Sequence, residues 1–442
     1  MRNKHRNLLS AALVMLCIAL LAGTAVLLLR TLPKKQPGTV DTIQTGAVFD
    51  QTDNTAAPDR EQAYDGELPN LSDTLEPDEA ETPAPEDEAA LAAAKLADQT
   101  LASMTLDEKL WQLFFVTPEA ITKVETATLA GEATKAAIES QPVGGLVYFA
   151  KNLENRAQTV TLLENSQSYS KIPLFLGVDE EGGTVSRLKT SGLDIDTGVG
   201  TMQSIGETAD PAAAYAAGQE IAGNLHALGF NLDFAPVTDV SSGKNAAIGS
   251  RSFGTDPELC ASMAGIISNA LTDGGVIPCL KHFPGYGGAA ADDHEGSVTV
   301  DKTLEELESC DLIPYRRLLA GQNVPFIMVT HLSYPALTGG DTPADLSSEI
   351  VTDLLRNKLG YSNVIITDSH QMASITDHYT SAEAAVAAIA AGCDMVLMPE
   401  DLQEAFDGLK AAVEDGTLTE ARIDESVRRI LTVKAAYGLL KD

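Results

Sequence analysis

The chain has 442 residues, 44% of them hydrophobic and 5% aromatic, and a formal net charge of −33. That length allows one large domain with extensions, or two ordinary domains. Its acidity repels phosphate backbones and excludes nucleic acid as a natural partner; neutral or cationic substrates fit better, unless a local basic pocket holds an anion.

The first segment, MRNKHRNLLSAALVMLCIALLAGTAVLLLR, sets Arg2, Lys4 and Arg6 before a mostly apolar run from Leu8 to Leu29. About 20 residues cross a bilayer, whereas a cleavable signal core has about 7–15. The run predicts an uncleaved signal-anchor, a transmembrane segment over 1–35. A single-pass cell-membrane protein with its large domain extracytoplasmic follows, or a secreted one if cleavage occurs at Gly23-Thr24-Ala25. Cys17 follows Met15-Leu16 rather than small residues, which argues against a lipid anchor. Residues 36–95 are rich in Asp, Glu, Pro, Thr and Ala. They bury too little apolar surface to offset ordering entropy and read as a disordered acidic linker.

From 96 to 442, short apolar runs alternate with helical stretches. The runs are QLFFV (112–116), GLVYFA (145–150), LFLGVD (174–179), FNLDFAPV (230–237), VIPCLKHF (276–283), PFIMVTH (325–331), NVIITD (363–368) and MVLMP (395–399). Most are continuously apolar, as in parallel strands covered on both faces. Between them, DPAAAYAAGQEIAGNLHALG and SAEAAVAAIAAG have helical spacing and end in Gly. Eight such units predict an α/β fold of the (β/α)8 TIM-type barrel; a doubly wound sheet is the alternative, but no GxGxxG follows a strand. Of five cysteines, Cys260, Cys279, Cys310 and Cys393 stand among apolar neighbours and read as buried thiols, with no CxxC pair or disulfide framework.

A barrel of this kind carries its chemistry at strand C-terminal ends. Those ends read Asp179, Lys281-His282, His331 and Asp368, four strands delivering ionisable groups to one rim. After the fifth strand comes KHFPGYGGAAADDH, in which Asp292 and His294 are two apart and point the same way if the loop is extended. Asp292 then orients an imidazole poised for general acid/base work, or the triplet is a solvated acidic turn. Asp368 is a nucleophilic or electrostatic carboxylate, or the N-cap of the next helix. A carboxylate facing a proton donor on a distant loop is the arrangement for glycoside cleavage with retention, with histidine as a variant acid.

In VDEEGGTVSRL, Asp179 suits bidentate bonding to sugar hydroxyls, and Gly182-Gly183 permit close backbone approach; Glu180 and Glu181 read as solvated charges. Arg251 either binds substrate or pairs with an Asp. Two other classes compete. A metal-dependent barrel hydrolase would use Lys281, His282, His331 and Asp368, but QLFFV lacks the H-x-H such sites need on the first strand. A non-catalytic carbohydrate-binding barrel would have no use for the acid and the nucleophile.

The motifs MTLDEKLWQLFFV, GGLVYFAKN, VDEEGG, NLDFAPVTDV, SRSFG, KHFPGYG, the D-x-H loop, MVTHLSYPAL, VIITDS and AAGCDMVLMPED occur in order from 104 to 401. They resemble the family 3 glycoside hydrolases, specifically their single-barrel bacterial β-N-acetylglucosaminidases. The resemblance implies Asp368 as nucleophile and the Asp292–His294 dyad as general acid/base, its glycine loop closing over the substrate. It implies that Asp179, Arg251, Lys281 and His282 hold a terminal N-acetylglucosamine. No metal and no cofactor are expected, and no second domain after the barrel. The implied substrates are peptidoglycan fragments or chito-oligosaccharides; a β-glucosidase or a phosphorylase is the nearest alternative within the family. Tyr286 stands where the family usually has histidine, Asp293 where a small hydroxyl residue is common, and His370 where the position is usually apolar.

Overall fold

The computed structural model describes residues 85–243, 246–289 and 296–441. The signal-anchor expected over 1–35, most of the linker and the Asp292–Asp293–His294 triplet lie outside the described residues. Among the described residues, no helix is long and apolar enough to cross a membrane. The first element is the helix Pro85–Ala102, so helical structure reaches back into the segment read as linker. Ala93, Ala97 and Leu101 give it a buried stripe, and it packs along the helix Glu420–Ala436.

The eight predicted runs each supply one strand of a closed parallel barrel. They are β1 (Phe114–Val116), β2 (Gly145–Val147), β3 (Phe175–Val178), β6 (Leu232–Asp233), β7 (Ile277–Phe283), β8 (Phe326–Val329), β9 (Val364–Ser369) and β10 (Met395–Leu397), in the order β1-β10-β9-β8-β7-β6-β3-β2. A two-stranded hairpin, β4 (Glu180–Gly182) and β5 (Val185–Ser186), sits after β3. β6 is shorter than its run because Pro236 has no N–H to give the ladder; pairing resumes where Thr238 N donates to Lys281 O at 2.7 Å. The helices follow their caps. Asp210 and Gly229 (φ 102°) bound Pro211–Leu228, and Thr380 with Glu383 forms a capping box for Ser381–Ala391.

Phenylalanines fill the barrel. Phe175 on β3 meets Phe326 on β8 edge to face at 5.1 Å, although β3 and β8 are not neighbours, so the contact crosses the lumen. Phe115 meets Phe234 at 5.1 Å, and a Cβ at Gly145 or Gly177 would stand 2.7 Å from the Phe115 ring. Those two glycines make room for one large ring. The layer closes the barrel below the rim.

Candidate active site

At the C-terminal ends of the strands opens a cavity of about 450 Å³, lined among others by Asp179, Glu181, Arg251, Lys281, His282 and Asp368. Five of the expected site residues thus meet at one place, carried by four different strands or the loops after them. Lys281 Nζ donates to Asp179 Oδ1 at 2.9 Å and stands 2.7 Å from Glu181 Oε1. Arg251 clamps Glu181 with two bonds of 2.8 Å. Arg187 Nη2 approaches Asp179 Oδ2 at 3.6 Å.

Glu181 was expected in solvent and is 3% exposed. Burial pushes its carboxyl upward, but Lys281 and Arg251 outweigh that and hold it well below the usual carboxylate range. The ion-pair partner of Arg251 is thus Glu181 rather than an Asp, and Arg251 also lines the cavity. Glu180 is also buried, accepts from Leu188 N at 3.0 Å, and is pushed above the usual range by burial. Gly182 (φ 80°) and Gly183 (φ 59°) form the hairpin turn; the close approach they allow is to Val199 and Thr201.

His282 is fixed from behind. Asp239 lies 2.7 Å from its Nδ1 and accepts from the backbone N–H of Tyr286 at 2.6 Å. The glycine loop departs from expectation here. A Cβ on Gly285 (φ 149°) would stand 2.6 Å from Asp311 Cβ, and one on Gly287 would collide with Val240 O. In its described part the glycines serve close packing rather than swing. Tyr286 lines the cavity with its ring tilted against His282, 5.5 Å between centroids.

Asp368, near the end of β9, faces the cavity and accepts from Ser369 N at 2.7 Å. It caps no helix: the next one, Ala373–Thr376, has Met372 at its N-cap. Burial opposes its ionisation, but the imidazoles of His282 and His331, the Ser369 N–H and Lys281 overcome this and hold the carboxyl below its usual range. Among the described residues, Asp368 is the only lining carboxylate without a Lys or Arg in ion-pair contact.

Residues 105–433 match the glycosyl hydrolase family 3 N-terminal domain. The chain belongs to glycoside hydrolase family 3. It is 33% identical over 326 residues to beta-hexosaminidase A of Pseudoalteromonas piscicida, covering 67% of this chain and 54% of that protein. To a beta-hexosaminidase of Chromobacterium violaceum it is 35% identical over 288 residues, covering 64% of this chain and 78% of the relative. The solved structure of a family 3 beta-N-acetylglucosaminidase from Paenibacillus sp. str. FPU-7 superposes with a TM-score of 0.72 at 34% identity, over 77% of this chain and 64% of that one. The chain therefore spans about half the length of the first relative. The Pseudoalteromonas and Chromobacterium relatives are both beta-hexosaminidases.

Within this family 3 barrel, His331 does not line the cavity: it is buried behind Asp368, with Nε2 2.9 Å from Ser369 O. Asp345 stands 3.1 Å from His331 Nδ1 and 2.9 Å from His370 Nε2. These three are the one group of described side chains close enough to share an ion. His370 Nε2 makes a hydrogen bond with Asp345 Oδ2, whereas His331 Nδ1 meets Asp345 Oδ1 as an ion-pair contact. Asp239, Arg187 and Asp345 were not singled out from sequence. Only Asp239 carried a signal, as an acid following the fourth apolar run.

Proposed function

We propose that this family 3 enzyme is a retaining exo-β-N-acetylglucosaminidase. The observation that supports it is Asp368: an ionised carboxylate left unpaired by Lys or Arg, facing the cavity, while its neighbours Asp179 and Glu181 are spent on cations. Asp368 attacks the anomeric carbon, and the bond to the departing oxygen breaks as His294, assisted by Asp292, donates a proton. The dyad then takes a proton from water, which releases the sugar from its ester with Asp368. Asp179, Arg251, Lys281 and His282 orient the sugar. Among the described lining residues, Asp179, Glu181 and Asp368 balance Arg187, Arg251 and Lys281, which suits a neutral sugar.

Terminal N-acetylglucosamine on peptidoglycan fragments or chito-oligosaccharides is the proposed substrate, with the barrel held outside the cell by the N-terminal segment. The purified full chain should release aryl alcohol quickly from an aryl β-N-acetylglucosaminide, slowly from the β-glucoside, and equally with or without EDTA or phosphate. Preference for the glucoside, or dependence on phosphate, would overturn the substrate or the hydrolytic step. External protease should remove the barrel from intact cells; full protection would contradict the orientation.

A further inference from the structure

Behind Asp368 lies a second constellation that the reaction above does not use. His331 is 1% exposed, Asp345 0% and His370 2%, and they come from three places in the chain: the end of β8, the turn before Glu349–Lys358, and the end of β9. His331 Nε2 is 2.9 Å from the Ser369 carbonyl oxygen, which only accepts, so Nε2 carries a proton. Its Nδ1 is 3.1 Å from Asp345 Oδ1. Burial works against the Asp345 carboxylate, but the two imidazoles overcome it and hold the group down at about 2. A lone pair on Nδ1 would face this anion at contact distance, so a second proton is the favourable arrangement. His370 meets the other oxygen through Nε2 at 2.9 Å, and burial keeps it below the ordinary imidazole range. The cluster thus holds one anion, one cation and one neutral ring.

His282, the other imidazole near the nucleophile, is different. Its Nε2 stands 3.3 Å from Arg251 Nη2 and its Nδ1 2.7 Å from Asp239 Oδ2, so a guanidinium faces it on the cavity side.

We propose that His331, Asp345 and His370 are positioning residues beneath the nucleophile: Asp345 holds His331 as an imidazolium, and His331 fixes the Asp368–Ser369 turn and presents a standing positive charge to the Asp368 carboxylate. The inference rests on Asp368 being the nucleophile. Asp345 is anchored in turn, since His370 N donates to Leu397 O at 2.9 Å and Cys393 Sγ to the Asp345 carbonyl at 3.4 Å. Among the described residues, the titratable groups around His331 are Asp345 and His370 on one side and Asp368 on the other. Lys281 and His282 lie beyond Asp368, and Tyr379 and Cys393 lie beyond Asp345.

Two variants of the full chain test this, Asp345→Asn and His331→Gln, with an aryl β-N-acetylglucosaminide between about pH 5 and pH 8, where imidazole titrates. Each should lose about 100-fold in kcat with KM nearly unchanged, as for a displaced reacting group. In Asp345→Asn the imidazole can lose its second proton, so the deficit relative to wild type should grow as pH rises. His331→Gln keeps a donor for Ser369 O and has no such proton, so its deficit should not grow over that range. Wild-type proton NMR should show two far-downfield imidazole N–H resonances persisting to about pH 8, above the ordinary imidazole range, both absent in His331→Gln. A pH-independent deficit in Asp345→Asn, or missing resonances, would overturn the proposal. So would one equivalent of bound metal whose removal abolishes activity and whose return restores it. If Asp345→Asn does not fold, the resonances and His331→Gln decide. A wild-type enzyme inactive on the aryl substrate would remove the functional reading itself, an outcome distinct from an active enzyme with a flat pH ratio.

Discussion

Lys434 and Lys281 are both buried in the same barrel, at opposite ends, and their surroundings treat charge in opposite ways. At the floor, Lys434 Nζ donates to Gln112 Oε1 at 2.7 Å and sits 4.9 Å from the Phe175 ring centroid. No carboxylate meets it among the described residues, and burial drives its pKa well below the ordinary lysine value. At the rim, burial acts on Lys281 in the same direction, but Asp179 and Glu181 reverse the outcome and raise it. The carboxylates follow the same division. Asp394 at the floor is closed in by Arg356, by Arg429 at 2.9 Å, by Ser426 at 2.6 Å and by Ile365 N at 2.9 Å. Asp368, three residues further along β9, accepts one backbone N–H and looks into a cavity. Strand β9 therefore touches a satisfied, structural charge cluster through Ile365 at one end and carries a reactive carboxylate at the other. Burial and ion pairing are common to both; what separates them is a charge without a cation partner beside open space.

Four substitutions sharpen that contrast. Asp368→Asn should lower kcat on the order of 10,000-fold while the melting temperature stays close to wild type; a matching loss of stability would move Asp368 into the structural class. Asp394→Ala should do the reverse, losing about 3–5 kcal/mol in denaturant unfolding because Arg356, Arg422 and Arg429 are left without their carboxylate, with kcat per folded molecule unchanged. Both Asp394 and Asp345 are held below the usual carboxylate range, Asp345 at about 2. Their contribution to stability is therefore complete above the unfolded value of about 3.9 and lost as pH falls below it, for Asp345 down to about 2. Acid unfolding followed by circular dichroism should show that loss, and Asp394→Ala should flatten it.

Glu181→Gln removes the anion shared by Arg251 and Lys281. It should reduce kcat/KM by about 10- to 100-fold, the range of a lost charge-assisted bond, and mostly through KM. An effect confined to stability would place the Glu181 cluster with the floor. Lys434→Met should be the mildest, changing stability by about 1 kcal/mol or less, because burial already disfavours the charge of the amine it replaces, which makes one hydrogen bond among the described residues. A loss several times larger would mean that Lys434 is charged in the fold.

The barrel was legible because parallel strands covered on both faces read as unbroken apolar runs, and each run supplied a strand. Asp179, Lys281, His282 and Asp368 were legible because the same pattern fixes which end of a strand becomes the rim. Glu181 was misread because an acid in a D-E-E run looks solvated until Arg251, 70 positions away, closes on it. Asp239 and Asp345 are single acids in loops; the histidine partner of Asp239 lies 43 positions away, and those of Asp345 are His331 before it and His370, 25 positions after it. Nothing in local periodicity brings such pairs together; closure of the barrel does. The glycines of KHFPGYGG promised mobility, but Gly285 and Gly287 are demanded by the approach of Asp311 and Val240. Glycine marks either freedom or crowding, and a sequence shows only that a side chain is missing.

The most direct test of Asp368 as the nucleophile is to trap the glycosyl-enzyme. The full chain would be incubated with a 5-fluoro-N-acetylglucosaminyl fluoride, and intact mass and peptide mapping would follow. A mass gain of one fluorinated sugar, located on the peptide that carries Asp368 and absent in Asp368→Asn, is the predicted result. An active enzyme that gains no mass, or that carries the sugar on another residue, would contradict it.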